Sequence, residues 1–176
     1  MTEDIAALRA HLQDLTARVE ALEHRSDAPE FAPDTPDAET FWALEGLRTR
    51  QGAHPATASG TVMLVGSLTL PDGAPVAWQE ATGTAGLLES VWSERAAAFA
   101  ALGHPVRLEL LRHILNGIHT TAELAELDDL GTTGQLHHHL RQLISAGWVR
   151  QTGRGSYEVP ATRVVPLLTG LLGAER

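Results

Sequence analysis

The sequence predicts a mixed α+β chain, mainly helical with a little strand, and three stretches carry that expectation. Residues 120–146, TTAELAELDDLGTTGQLHHHLRQLISA, spell two short helices in succession. Thr120 stands three residues before Glu123 and Thr132 three before Gln135, so each helix can open with a capping box. Between them Asp128, Asp129 and Gly131 supply turn chemistry, which makes the pair a helix-turn-helix. Next, residues 148–151 and 156–159 alternate as strands around Thr152, Gly153, Arg154 and Gly155, a hairpin with a glycine-flanked arginine at its tip. Finally, the first 25 residues hold an uninterrupted heptad with Ile5, Leu12 and Val19 at a and Leu8, Leu15 and Leu22 at d. β-branched residues at two a positions with Leu at d favour a parallel two-stranded coil. Asp4 opposite Arg9 and Arg18 opposite Glu23 fit that pairing. Three heptads are marginal alone, so the helix is expected to support a dimer formed elsewhere, or else to fold back on its own domain.

The expected organisation runs in four parts. After the coiled-coil helix (1–25) comes a linker (26–37) rich in proline and acid, with too little apolar content to fold by itself. Residues 38–83 follow as a short helix, 38–50, with Phe41, Trp42, Leu44 and Leu47 on one side, and a hairpin with strands at 61–70 and 76–80. Phe41 and Trp42 are expected to be buried. Val62, Leu64, Leu68 and Leu70 share a strand face, and a lone hairpin is marginal in water, so this one must pack on the next domain or on a second copy. Residues 84–176 form the last part. A single helix over 86–102 carries Leu88, Val91, Trp92, Phe99 and Leu102. A second helix starts at Pro105, repeats through Val106, Leu110, Leu111 and Ile114, and ends at Asn116 and Gly117. The helix-turn-helix and the hairpin come next, then a final helix over 161–172 with Val164, Val165, Leu167, Leu168, Leu171 and Leu172, which Pro166 is expected to kink or restart.

Composition narrows the function. The 176 residues carry no cysteine, which removes disulfides, thiolate ligands and thiol redox sensing. No signal peptide or run of about eighteen apolar residues occurs, so a cytoplasmic chain without membrane association is expected. The net charge of -9 is confined to the front: residues 1–96 hold fifteen acidic residues against six arginines, whereas residues 97–176 hold seven of each. No nucleophile elbow, phosphate-binding glycine loop or supported acid pair appears, so an enzyme is not expected.

The second helix of the pair places Leu136, Leu140, Leu143 and Ile144 on one face and Thr133, Gly134, His137, His138 and Arg141 on the other. A face of small polar, His and Arg side chains suits a major groove, where base edges and phosphates need donors. The ordered set ALGHPVRLELL, TTAELAE, TTGQLHHHLRQLISAGWV and RQTGRGSYEV resembles the arsenic-repressor-like (ArsR-like) winged-helix family of bacterial transcription regulators, over residues 87–172. The resemblance implies a homodimeric repressor that places two recognition helices in successive major grooves of double-stranded DNA at a pseudo-palindromic operator and is released by an effector. It further implies DNA contact by Thr133, Gly134, His137, His138 and Arg141; Thr132 and Gln135 at the helix start, and Arg150 and Arg154 on the wing, are candidates by their position. Gln135 can serve either as capping partner or as reader of adenine. Dimer contact is implied at Leu88 and Trp92 and on the last helix at Leu168 and Leu171, beside the heptad residues.

No cofactor or metal is expected. His137, His138 and His139 are consecutive, and neighbouring helical residues point roughly 100° apart, so they cannot close on one ion. The paired Asp and His by which zinc-sensing relatives bind metal on the last helix are missing here. His104, His113 and His119 are the other candidates in this part, and His139 lies towards the buried flank. The segment from Phe41 to Glu80, with Phe41, Trp42 and Trp78, is the expected place for a small-molecule effector or for extra dimer contact. The alternative is a protein-protein adaptor that has kept a winged helix without binding DNA; the face holding Thr, His and Arg speaks for DNA.

Overall fold

The computed structural model describes Thr16, residues 40–52 and residues 54–175. The heptad residues Ile5, Leu8, Leu12, Leu15, Val19 and Leu22 and the linker 26–37 lie outside the described residues. The chain divides into two compact units, Met1–Gly46 and Leu47–Arg176. Helix α1 (Trp42–Arg50) carries the division within it, and none of its residues is buried. Phe41 and Trp42 are exposed, against expectation. Every buried apolar residue among those described lies between Val76 and Leu167.

The second unit is an α+β domain. Strands β1 (Thr61–Thr69) and β2 (Pro75–Gly83) pair antiparallel in register from Thr61↔Gly83 to Thr69↔Pro75. Their turn is closed by the Gly73 amide donating to the Leu70 carbonyl at 2.8 Å and the Ala74 amide donating to Asp72 Oδ1 at 2.9 Å. Beyond them the expected helix over 86–102 is broken, giving α2 (Thr84–Glu89), a 3-10 turn (Trp92–Arg95) and α3 (Ala96–Leu102). The break is local hydrogen bonding at work. The Leu87 carbonyl, which a continuous helix would use, accepts from Ser90 Oγ at 2.7 Å and from Trp92 Nε1 at 2.9 Å. Side chains thereby offer the backbone an alternative to the helix.

The rest follows the expected order. Helix α4 (Pro105–Leu115) ends at Asn116 with Gly117 at φ 93°. It is followed by α5 (Thr121–Ala125), a 3-10 turn (Asp128–Leu130), α6 (Thr133–Ser145), strands β3 (Arg150–Gly153) and β4 (Ser156–Glu158), and α7 (Ala161–Ala174). This is the helix, helix-turn-helix and wing layout of a winged helix. Leu110, Leu111 and Ile114 of α4 interlock with Leu124 of α5 and with Leu136, Leu140 and Leu143 of α6. Each leucine taken from water contributes about 1.5–3 kcal/mol. Ile144, expected on the same face, stays exposed at the edge of the stripe. Trp148 ties the wing to α3 by donating from Nε1 to the Ala98 carbonyl at 2.9 Å, while the Arg163 guanidinium sits 5.2 Å from its ring centre.

Of the kink or restart expected at Pro166, the restart does not occur: α7 is one helix with the proline inside it. The proline falls early in the helix, and Thr162, whose carbonyl loses its donor, is exposed, so water can replace the missing bond. The first hairpin resolves the choice left by the sequence: β1 and β2 pack on α7. Leu64, Leu68, Leu70 and Trp78 join Val76 against the core, but Val62 does not. Val62 lies near the end of β1 far from the turn, on the face opposite Met63, and is 52% exposed.

Gly66 permits this docking. A Cβ there would stand 2.8 Å from Cγ1 and 2.9 Å from Cγ2 of the core residue Val165. Gly66→Val is therefore expected to destabilise the domain by about 1–3 kcal/mol through overpacking. Urea unfolding followed by circular dichroism checks this, and an unchanged midpoint would mean that the hairpin does not sit on α7.

Candidate nucleic-acid interface

The candidate face depends first on how its helices start. At α5 the Thr120 amide donates to Glu123 Oε2 at 3.0 Å and the Glu123 amide donates to Thr120 Oγ1 at 3.2 Å. The Thr120 hydroxyl also donates to the carboxylate at 2.6 Å, and these bonds hold the Glu123 carboxyl below the usual glutamate value. At α6 the Thr132 amide and hydroxyl donate to Gln135 Oε1 at 2.9 and 3.1 Å, and the Gln135 amide donates to Thr132 Oγ1 at 3.4 Å. Both capping boxes expected from the sequence are thus present. Gly131, at φ 78°, makes the second one feasible, since a Cβ there would come within 2.6 Å of Gln135 Oε1.

The second box engages Gln135 as a capping partner. Reading an adenine needs the side-chain oxygen and nitrogen together, and that oxygen is already accepting from Thr132. The Gln135 NH2 makes no hydrogen bond among the described residues.

With its start set, α6 turns Leu136, Leu140 and Leu143 into the core and leaves Thr132, Thr133, Gly134, Gln135, His137, His138 and Arg141 exposed. Arg141 forms no salt bridge or hydrogen bond among the described residues, and the same holds for Arg154 at the wing turn. Arg150 differs. Its guanidinium binds Glu158, its cross-strand partner, through Nε and NH2. The wing itself is fastened to the helix-turn-helix: the Gly155 carbonyl accepts from the Thr121 amide at 2.8 Å, and the Tyr157 amide donates to the His119 carbonyl at 2.9 Å. Residues 119–121 in effect add a bridge to the wing sheet at Thr120↔Ser156. Nothing in the alternation of the sequence pointed to that link.

The Gly-His-Pro-x-Arg run also acquires a structural account. His104 caps α4, its Nδ1 accepting from the Val106 amide at 3.2 Å. Arg107 reaches back to the end of α3, donating to the Ala100 carbonyl at 2.6 Å and to that of Ala101. A cation on the last carbonyls of a helix satisfies groups the helix leaves open and complements its dipole. His139 lies on the buried flank of α6, its ring centre 4.6 Å from that of His104, with Nδ1 buried and unpartnered. Among the described residues no group of three or more His, Asp or Glu is placed to hold a metal ion.

Burial holds the His139 imidazole below the usual histidine value, with His104, Arg107 and His138 adding electrostatic opposition to its proton. The unfolded chain therefore takes up that proton more readily than the folded one. The associated stability is complete above the ordinary value of about 6.5 and declines as pH falls through the lowered folded value. The melting temperature of the wild type should thus drop further between pH 7 and pH 5 than that of His139→Gln. Parallel pH profiles would show that His139 is not penalised in the fold.

The residues expected to pair two copies are distributed as follows. Leu88 and Trp92 are 64% and 62% exposed, and Leu168 and Leu171 of α7 are 36% and 45% exposed. Val91, Phe99 and Leu172 are also exposed. No helix of the described residues is long and apolar enough to cross a membrane. Comparison with known protein families, with curated proteins and with solved structures finds no match to this chain.

Proposed function

We propose that this chain is a sequence-specific DNA-binding regulator of transcription, a homodimer that lays α6 of each copy in the major groove of a pseudo-palindromic site and represses. One observation carries the proposal: the capped helix α6 buries only its leucines and presents Thr133, Gly134, His137, His138 and Arg141 to solvent. Such a face offers donors to base edges and phosphates, and the helix-turn-helix and wing provide the rigid support that docking needs. Arg154 at the wing turn, without a partner among the described residues, suits a phosphate or the minor groove. Exposed Leu88 and Trp92, large apolar side chains outside the core, favour assembly with a second copy.

Fluorescence anisotropy with the chain's own upstream DNA and with a selected random pool tests the proposal. Saturable, salt-sensitive binding to one sequence supports it, and an absence of such binding at any salt concentration would sink it. Arg154→Ala should weaken binding at low salt and reduce the slope of log K against log salt by about 1. Equal affinity at every ionic strength would remove Arg154 from the interface.

A further inference from the structure

A cavity of about 430 Å³ lies between the first hairpin, α4 and α7. It falls in the range of roughly 300–1,000 Å³ usual for small-molecule sites. Its walls are Leu68 and Leu70 from the hairpin, Leu108 and Leu115 from α4, and Leu168 and Leu171 from α7. Leu111 and Leu167, both core residues, also line it, so the cavity, half open to solvent, borders the packed interior. Among the described residues no aromatic side chain lines it.

The charged groups at its mouth are already matched. Arg112 and Glu109 bind each other at 2.6 Å, and the Asn116 NH2 donates to the Arg112 carbonyl at 2.7 Å. A charged ligand would find no uncompensated partner there, whereas a hydroxyl could donate to the Asn116 side-chain oxygen, which accepts no hydrogen bond among the described residues. We infer that this cavity binds a small uncharged aliphatic molecule with one terminal hydroxyl, an alcohol of medium chain length being the simplest form. Its chain would cover Leu168 and Leu171, and burial of apolar surface would drive binding. Helix α4 lines the cavity with one side and packs on α6 with another. That the ligand acts as an effector rests on the regulator proposal, but its binding does not.

The test uses the full chain alone. Isothermal titration and leucine-methyl NMR are run with 1-octanol, octanoate and octylammonium, and the oligomeric state is recorded by sedimentation. The expected result is saturable 1-octanol binding that shifts the methyls of Leu68, Leu108 and Leu171, with the two ions binding at least tenfold more weakly. Leu171→Asp at the rim should weaken octanol at least tenfold. Leu108→Phe, which fills the cavity without a charge, guards against a folding artefact and should do the same with the far-ultraviolet dichroism retained. Octanol binding that does not saturate, that the ions match, or that survives both variants overturns the inference. So does a Leu171→Asp chain that loses a dimer while binding octanol as before, since the face would then belong to a second copy. None of these results depends on DNA, so a chain that binds no DNA leaves the inference standing.

Discussion

Leu140→Ala is expected to destabilise the domain by about 2–5 kcal/mol, a large part of what holds a domain of this size together. Leu140 is 1% exposed and sits mid-helix on α6, in the cluster that joins α4, α5 and α6. Truncation removes both its transfer free energy and the contacts of its neighbours, because Leu110, Leu136 and Leu143 are held on separate turns and close the gap only in part. The loss corresponds to a fall in melting temperature of roughly 4–20 °C for a chain of this length. Thr133→Ala, on the same helix but exposed, should change stability by no more than about 0.5 kcal/mol. Thermal unfolding of the pair checks the orientation of α6 directly. Similar losses in both, or a harmless Leu140→Ala, would mean that the helix is turned about its axis from the arrangement described.

That orientation was legible in the sequence because its signals are local. A Thr three residues before a Glu or Gln, and leucines at helical spacing, each act within one or two turns, so the starts of α5 and α6 and the buried stripe of α6 follow from neighbouring residues. The wing was legible for the same reason. What escaped depends on partners distant in sequence or on competing local bonds. The helix expected over 86–102 breaks because Ser90 and Trp92 both claim the Leu87 carbonyl, a choice that apolar periodicity does not encode. The packing of the first hairpin on α7 joins segments about a hundred residues apart through Gly66 and Val165, and a glycine in a strand pattern does not name its neighbour. Aromatic character alone points Phe41 and Trp42 inward, yet both are exposed among the described residues, because residue type does not name the surface a side chain would pack on. Within the candidate site, the exposed positions were legible, but the ion pair that engages Arg150 was not, since it depends on the register that sets Arg150 opposite Glu158.

The contrast between two arginines follows from that ion pair. On the DNA-binding proposal, Arg141→Ala is expected to weaken operator binding by about 10- to 100-fold, the effect of losing one good base or phosphate contact of 1–3 kcal/mol. Arg141 is exposed on α6 and forms no salt bridge among the described residues, so its removal breaks nothing in the fold, and the melting temperature should stay within a degree or two. Arg150→Ala should weaken binding far less. Its guanidinium already lies on the Glu158 carboxylate, so a phosphate contact would first have to displace that partner, and a half-exposed pair itself contributes little to stability. Glu158→Gln turns the comparison into a test of cause: freeing Arg150 should strengthen binding and steepen its salt dependence by about one phosphate contact. Anisotropy titrations of the three variants at several ionic strengths give the order. If Arg150→Ala proved as damaging as Arg141→Ala while Glu158→Gln changed nothing, the wing pair would have to open on DNA. If Arg141→Ala left affinity unchanged, α6 would not be the helix in the groove.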